Sequence, residues 1–292
     1  MGGLKNFKME DFLIKSILCQ ILLVVIYHLI LEKEKMHQFN RFFLLFSLVF
    51  SLIIPFVTIE IYEELITLPE QKQLSEMPQM IGLGVLKKQP EFDLSLLFWI
   101  FYVLTTSILS IRFALNLYKI NQRIKLNPKA IYRESTLVLV SEKILPHTFL
   151  HYIFINKEDH KNSQIEAELF THELAHVREK HSVDVIFIEI LKVIFWFNPI
   201  LILYKKAIQL NHEFLADENV VATYNVSYYQ NLLLEKACWK NNFNLVSNLN
   251  FLVTKKRLIM MTKTTSKNIA LLKKLAIVPF LSGIVYFACV KT

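Results

Sequence analysis

The chain has 292 residues, of which 53% are hydrophobic, and its mean hydropathy of +0.37 excludes an ordinary soluble enzyme and is typical of a membrane protein. The net charge is +8, but the basic residues cluster beside apolar segments and no nucleic-acid motif accompanies them, so we expect no direct nucleic-acid contact. None of the three cysteines belongs to a CxxC pair, which excludes a readable disulfide framework or cysteine zinc site.

Four apolar runs are candidate membrane helices, since a span needs about 20 mostly apolar residues. The first is not followed by a small-residue cleavage site, so we predict an uncleaved helix rather than a signal peptide. The predicted fold class is therefore an α-helical integral membrane protein with four spanning helices. The four runs are residues 12–31, 42–59, 94–111 and 275–290.

Charge asymmetry predicts the orientation of these helices. Residues 112–133 contain six basic side chains and residues 254–274 contain seven, with no acidic one in either stretch, so both are predicted to be cytoplasmic. Residues 61–93 contain six acidic and three basic side chains and are predicted to form an extracytoplasmic loop. Residues 183–204 are also apolar, but they lie between two cytoplasmic stretches and contain an Asn-Pro step. We therefore predict a non-spanning segment that is broken at the proline.

A small sheet is predicted after the third span. Residues 136–141 (TLVLVS) and 150–156 (LHYIFIN) are rich in β-branched, aliphatic and aromatic side chains, as strands are. The second is the candidate edge strand for an extended substrate, with an interior strand as the alternative. Residues 165–180 are predicted to be a helix, so this part of the chain is expected to be α+β.

That helix contains HELAH at residues 172–176, which fits the HExxH pattern of zinc peptidases. Residues four apart share a helix face, so His172 and His176 can reach one Zn²⁺ ion. Glu173 is offset by about 100° around the helix, which suits it to take a proton from a water beside the metal. His181 is nine positions after His172, so a continuous helix would turn it to the opposite face. The alternative is two unrelated helix histidines with a surface glutamate between them.

A third ligand must come from elsewhere, and four downstream carboxylates are candidates: Glu189, Glu213, Asp217 and Glu218. Glu213 and Asp217 are four apart and share a helix face. We predict that Glu213 ligates the metal, while Asp217 accepts a hydrogen bond from the distal nitrogen of a ligand histidine. Without the upstream motif, this pair would be an ordinary solvated acidic face. His212 is expected at the surface.

Three motifs, in this order, resemble the BlaR/MecR type of antirepressor membrane metallopeptidase. The resemblance covers nearly the whole chain. It implies zinc held by the two motif histidines and Glu213, with Glu173 as general base. It also implies a cytoplasm-facing, gluzincin-like domain held among four spanning helices. The motifs are HELAH at 172–176, WFNP at 196–199 and EFLAD at 213–217, followed by a similar basic run at 255–257.

We therefore predict three parts in a multi-pass protein of the bacterial inner (cytoplasmic) membrane. Residues 1–118 form three membrane helices with the outside loop, and residues 119–274 form the cytoplasm-facing zinc peptidase domain, including the non-spanning segment. Residues 275–292 form the last membrane helix and a short tail. Sensors of the family carry a penicillin-binding domain after the last span, whereas this chain ends at Thr292, so we expect no β-lactam sensor of that kind.

The predicted function is a membrane-embedded zinc endopeptidase of the signal-transducing antirepressor type, in which Glu173 activates a zinc water to attack a peptide bond at the cytoplasmic face. The predicted partners are the lipid bilayer and a protein substrate, with a transcriptional repressor as one candidate and a homodimer as one oligomeric option. Two alternatives stay open. One is a quality-control or protein-processing membrane zinc protease. The other is a non-catalytic signalling scaffold with structural zinc, which would not need Glu173.

Overall fold

The computed structural model describes residues 9–57, 94–162, 165–241 and 247–289. The predicted loop at 61–93 lies outside these ranges. The described part is mostly helical, with one four-stranded sheet placed between the third and fourth helices. The helices are α1 (Met9–Ile26), α2 (His37–Ile53), α3 (Leu94–Leu126), α4 (Lys157–Lys161), α5 (Ala167–Arg178), α6 (His181–Ile194), α7 (Ile200–Val221), α8 (Val226–Asn241), α9 (Ser247–Thr262) and α10 (Lys267–Cys289). The strands are β1 (Lys129–Tyr132), β2 (Ser135–Val140), β3 (His147–Phe149) and β4 (Tyr152–Asn156).

Four of the described helices are long and apolar enough to cross a membrane, and they overlap the four predicted runs, as expected of a membrane protein. The first span ends in a π-helical turn and the second in a short 3-10 turn at a proline. The third helix extends fifteen residues past the predicted end at 111, because nothing in its basic C-terminal half breaks a helix. The candidate spanning segments are Asp11–Leu31, His37–Phe56, Ser95–Leu126 and Lys267–Tyr286.

The apolar stretch 183–204 is not one of these four spans. It is divided between α6 and α7 at an irregular step that contains Asn198 and Pro199. The Asn198 amide donates to Gln20 of α1 at 2.7 Å. Tyr204 of α7 is fully buried, and its hydroxyl accepts a hydrogen bond from Ser47 of α2 at 3.1 Å. The stretch is apolar because it packs against the first two spans.

The sheet has the order β1-β2-β4-β3, with β4 parallel to β2 and antiparallel to β3. The prediction of 150–156 as an edge strand is therefore wrong, because β4 is interior and β3 is the edge beside it. Leu150, with φ of 54°, begins the tight turn that reverses the chain between β3 and β4. Ile153 and Ile155 of β4 are fully buried against α5, which fixes the position of the motif helix on the sheet.

Candidate metal centre

The packing of α5 against α7 brings together two histidines and one carboxylate. The Nε2 atoms of His172 and His176 lie 3.2 Å apart. Glu213 Oε2 lies 3.5 Å from His172 Nε2, and Glu213 Oε1 lies 3.8 Å from His176 Nε2. All the donor atoms of this group lie within 4.8 Å of one another. The three positions named as ligands from the sequence therefore form one cluster.

The donor set fits a zinc ion. Two nitrogens bound at 2.0–2.1 Å in tetrahedral geometry lie about 3.3 Å apart, close to the separation of the two Nε2 atoms. Catalytic zinc sites use three protein donors of this kind and keep a fourth position open, whereas structural sites use four. The competing carboxylates are occupied elsewhere, since Glu189 pairs with Lys192 at 3.1 Å and Glu218 lies 3.9 Å from a lysine of the α1–α2 turn.

The distal nitrogen of His172 faces an acceptor, as a metal-bound imidazole requires. Its Nδ1 lies 3.3 Å from Asp217 Oδ1 and 3.0 Å from the Tyr229 hydroxyl, which itself donates to Asp217 at 2.8 Å. Burial lowers the pKa of His172, but the hydrogen bonds to Asp217 and Glu213 outweigh it and raise this pKa to about 9. Burial lowers the pKa of His176, which lacks a carboxylate partner at Nδ1, to about 3.

Glu173 lies beside this cluster and contacts the edge strand of the sheet. The Thr148 hydroxyl of β3 donates to Glu173 Oε2 at 2.6 Å and lies 3.2 Å from the Glu173 carbonyl oxygen. The Glu173 side chain is buried, and this burial raises its pKa. A carboxyl with a raised pKa beside a candidate metal site is suited to accept a proton. Thr148 has no motif around it, so the sequence offered no signal for this contact.

Residues 147–261 match the BlaR1 peptidase M56 family. The match runs from the edge strand to the end of α9 and includes every residue of the cluster. The match agrees with the resemblance read from the motifs, and the family that it names is one of metallopeptidases. The four candidate spans fit a membrane protein. No curated protein matches the chain.

The part that matches the M56 family contains an arginine that the sequence did not assign to the site. Arg257 of α9 contacts Glu213 Oε2 through Nη1 at 2.8 Å and binds both oxygens of Asp217, at 2.6 and 2.8 Å. Burial would raise the pKa of both carboxyls, but the guanidinium outweighs it and lowers both pKa values. The basic run at 255–257 was visible in the sequence, but its contact with α7 was not.

Two further histidines of the matched segment lie where the sequence did not predict them. His181 does not face away from the motif, because its Nδ1 lies 2.8 Å from Nδ1 of His176. His212 is not at the surface. It is buried, its ring stacks on that of His181 with centroids 4.0 Å apart, and its Nε2 lies 2.8 Å from an oxygen of Asp184. His181 therefore contacts His176 directly, and the ring of His212 packs on the far side of His181.

Proposed function

We propose that this protein is a membrane-embedded zinc endopeptidase that cleaves a protein substrate at the cytoplasmic face of the membrane. The observation that carries the proposal is the cluster of His172, His176 and Glu213 with a buried Glu173 beside it. A structural zinc site has no use for that fourth residue, whereas a hydrolytic site needs a base there. The match to the M56 family supports the same activity.

In the proposed mechanism, the motif histidines and Glu213 would hold a zinc ion, which would supply Lewis-acid polarisation of the scissile carbonyl and of the attacking water. Glu173 takes the proton from that water and passes it to the leaving amine. The Thr148 hydroxyl binds one oxygen of Glu173 and leaves the other free to meet the water.

The substrate is proposed to bind in extended form along β3. Among the strands of the described residues, β3 pairs with β4 alone, so its other side offers backbone groups to a peptide. Thr148 lies in this strand and touches Glu173, so a peptide paired with β3 runs past the base. The proposed site thus combines a gluzincin-like donor set with an edge strand that aligns the scissile bond.

The cytoplasmic placement is supported by the positive-inside counts and by one set of contacts. Glu34, in the turn between α1 and α2, accepts hydrogen bonds from Lys273 at 2.8 Å and from Thr265 at 2.9 Å. These contacts support a common side of the membrane for that turn and the basic α9–α10 connection. The proposed class of substrate is a transcriptional repressor, so the proposed biological role is that of an antirepressor. A homodimer is one proposed assembly.

The experiment compares the full chain in detergent with Glu173→Gln, using unfolded casein and a fluorescence-quenched peptide library as substrates. We expect Glu173→Gln to bind one zinc per chain and to cleave about 100- to 10,000-fold more slowly, the usual contribution of a general base. Glu168→Gln, on the same helix, is the matched control and should cleave at the wild-type rate. Full activity in Glu173→Gln would reject the proposed mechanism.

A further inference from the structure

One guanidinium in the structure holds two carboxylates that lie a helical turn apart on α7. Arg257 has only 13% of its side chain exposed and uses Nη1 for Glu213 and its Nε and Nη2 atoms for Asp217. Its Nη2 also lies 3.4 Å from the Tyr229 hydroxyl. The planar fork of arginine allows this arrangement, whereas the ammonium of lysine is a single point charge.

The two oxygens of Glu213 have different neighbours. Oε2 is 2.8 Å from Arg257 Nη1 and 3.5 Å from His172 Nε2, whereas the nearest motif histidine atom to Oε1 is His176 Nε2 at 3.8 Å. A carboxylate with one oxygen held in this way has one oxygen left for a metal. That matters because a catalytic zinc ion needs an open position for water and substrate, and a carboxylate that binds through both oxygens would fill it.

The charges in the cluster support the same role. Glu173, Glu213 and Asp217 carry three negative charges when ionised, so a divalent ion alone leaves an excess of one. The positive charge of Arg257 brings the net charge of the three carboxylates and the divalent ion to zero. This matters in a buried site, where an unpaired charge is costly. The guanidinium would repel a cation bound at the cluster, so we expect Arg257 to act by holding the two carboxylates rather than by retaining the metal.

We propose that Arg257 is a positioning residue of the metal centre, which restricts Glu213 to a single oxygen toward the metal and holds Asp217 against His172. The proposal rests on the proposed function, because it requires a metal at the cluster. It adds a residue from α9, the helix that leads directly into the last spanning helix.

The neighbouring residue on α9 provides the matched control. Lys256 carries the same charge, but it pairs with Glu32 in the α1–α2 turn rather than with the metal cluster. Lys256→Gln therefore removes one positive charge from the same helix turn and leaves the contacts of Arg257 in place.

The experiment loads the full chain in detergent with Co²⁺, whose visible absorption reports coordination number, and measures peptide cleavage by the zinc form. We expect Arg257→Gln to retain one Co²⁺ per chain, to lose the intense bands of a four-coordinate site as the second Glu213 oxygen binds, and to cleave about 10- to 100-fold more slowly. Lys256→Gln should match the wild type in both measurements.

Three results would overturn the inference. A folded Arg257→Gln chain with the wild-type spectrum would show that Arg257 does not set the coordination of Glu213. A folded Arg257→Gln chain that loses the metal would show that Arg257 serves retention instead. If Arg257→Gln does not fold, Arg257→Lys is tested instead. One ammonium cannot hold both carboxylates, so the Co²⁺ spectrum of Arg257→Lys must still differ from that of the wild type. A wild-type chain that binds no Co²⁺ and no Zn²⁺ would instead reject the proposed function.

Discussion

The Nδ1 atoms of His176 and His181 lie 2.8 Å apart, although the residues belong to different helices. The motif helix ends at Arg178, and Lys180 adopts a left-handed conformation with φ of 55°. The next helix begins at His181, so its ring turns back toward the motif. A metal on Nε2 of His176 leaves Nδ1–H as a donor, and His181 is placed to accept it.

This contact predicts that His181 orients His176. His181→Phe keeps a ring that can stack on His212 but removes the acceptor, so we expect zinc affinity to fall about 10- to 100-fold. Competition with a chromophoric chelator measures this change in the full chain. His160→Phe in α4 is the control and should bind zinc like the wild type. Equal affinity in the two variants would assign His181 to packing alone.

A second prediction concerns the ion pair between the membrane helix α2 and α6. Arg41 binds both oxygens of Asp184, at 2.7 and 3.2 Å, and both side chains are largely buried. Arg41→Met removes the guanidinium partner of the buried Asp184 carboxylate and leaves His212 as its remaining described partner. We therefore expect a loss of about 3 kcal/mol in the free energy of unfolding.

Denaturant unfolding in detergent measures this loss. The control is Arg178→Met, which removes the pair with Glu134, where both side chains are about half exposed or more. That substitution should cost about 0–1 kcal/mol. Similar losses in both variants would contradict the importance of the buried pair.

The contact between Thr148 and Glu173 predicts that kcat depends on the hydroxyl group at position 148. Thr148→Val removes the hydrogen bond to the base and should lower kcat about 10-fold or more, while KM changes little. Thr148→Ser keeps the hydroxyl and should restore most of the rate. Steady-state cleavage of a selected library peptide measures both constants. An unchanged kcat in Thr148→Val would show that the Thr148 hydroxyl does not assist Glu173.

The orientation of the chain stays a prediction, and topology reporters test it. Fusions at positions 125, 225 and 260 should all report the cytoplasm. Positions 125 and 260 lie in the two basic stretches, and position 225 follows the residues of the metal cluster. A fusion at position 75 should report the outside. An outside signal at 225 would contradict the non-spanning interpretation of 183–204.

The parts of the site that were predictable are those with local geometry. The spacing of His172 and His176 places them on one helix face, and the same spacing joins Glu213 to Asp217. The break at Asn198-Pro199 was also readable, because proline disfavours the helix interior.

The contacts that were missed depend on tertiary packing. A lysine in the left-handed region at position 180 has no sequence signature, since glycine or asparagine usually occupies that conformation, so the turn of His181 was hidden. A three-residue edge strand is too short to show alternation, which is why β3 was not recognised. Arg257 reaches Glu213 across 44 positions of sequence, and no local pattern predicts such a contact.

If His172, His176 and Glu213 hold one metal ion, the zinc content of the protein depends on all three side chains. The measurement is zinc per chain in the purified full-length protein, compared with Glu213→Ala and with Glu189→Ala as the control carboxylate. We predict one zinc ion per chain in the wild type and in Glu189→Ala, and a large loss of bound zinc in Glu213→Ala. Full zinc in Glu213→Ala together with loss in Glu189→Ala would contradict this prediction.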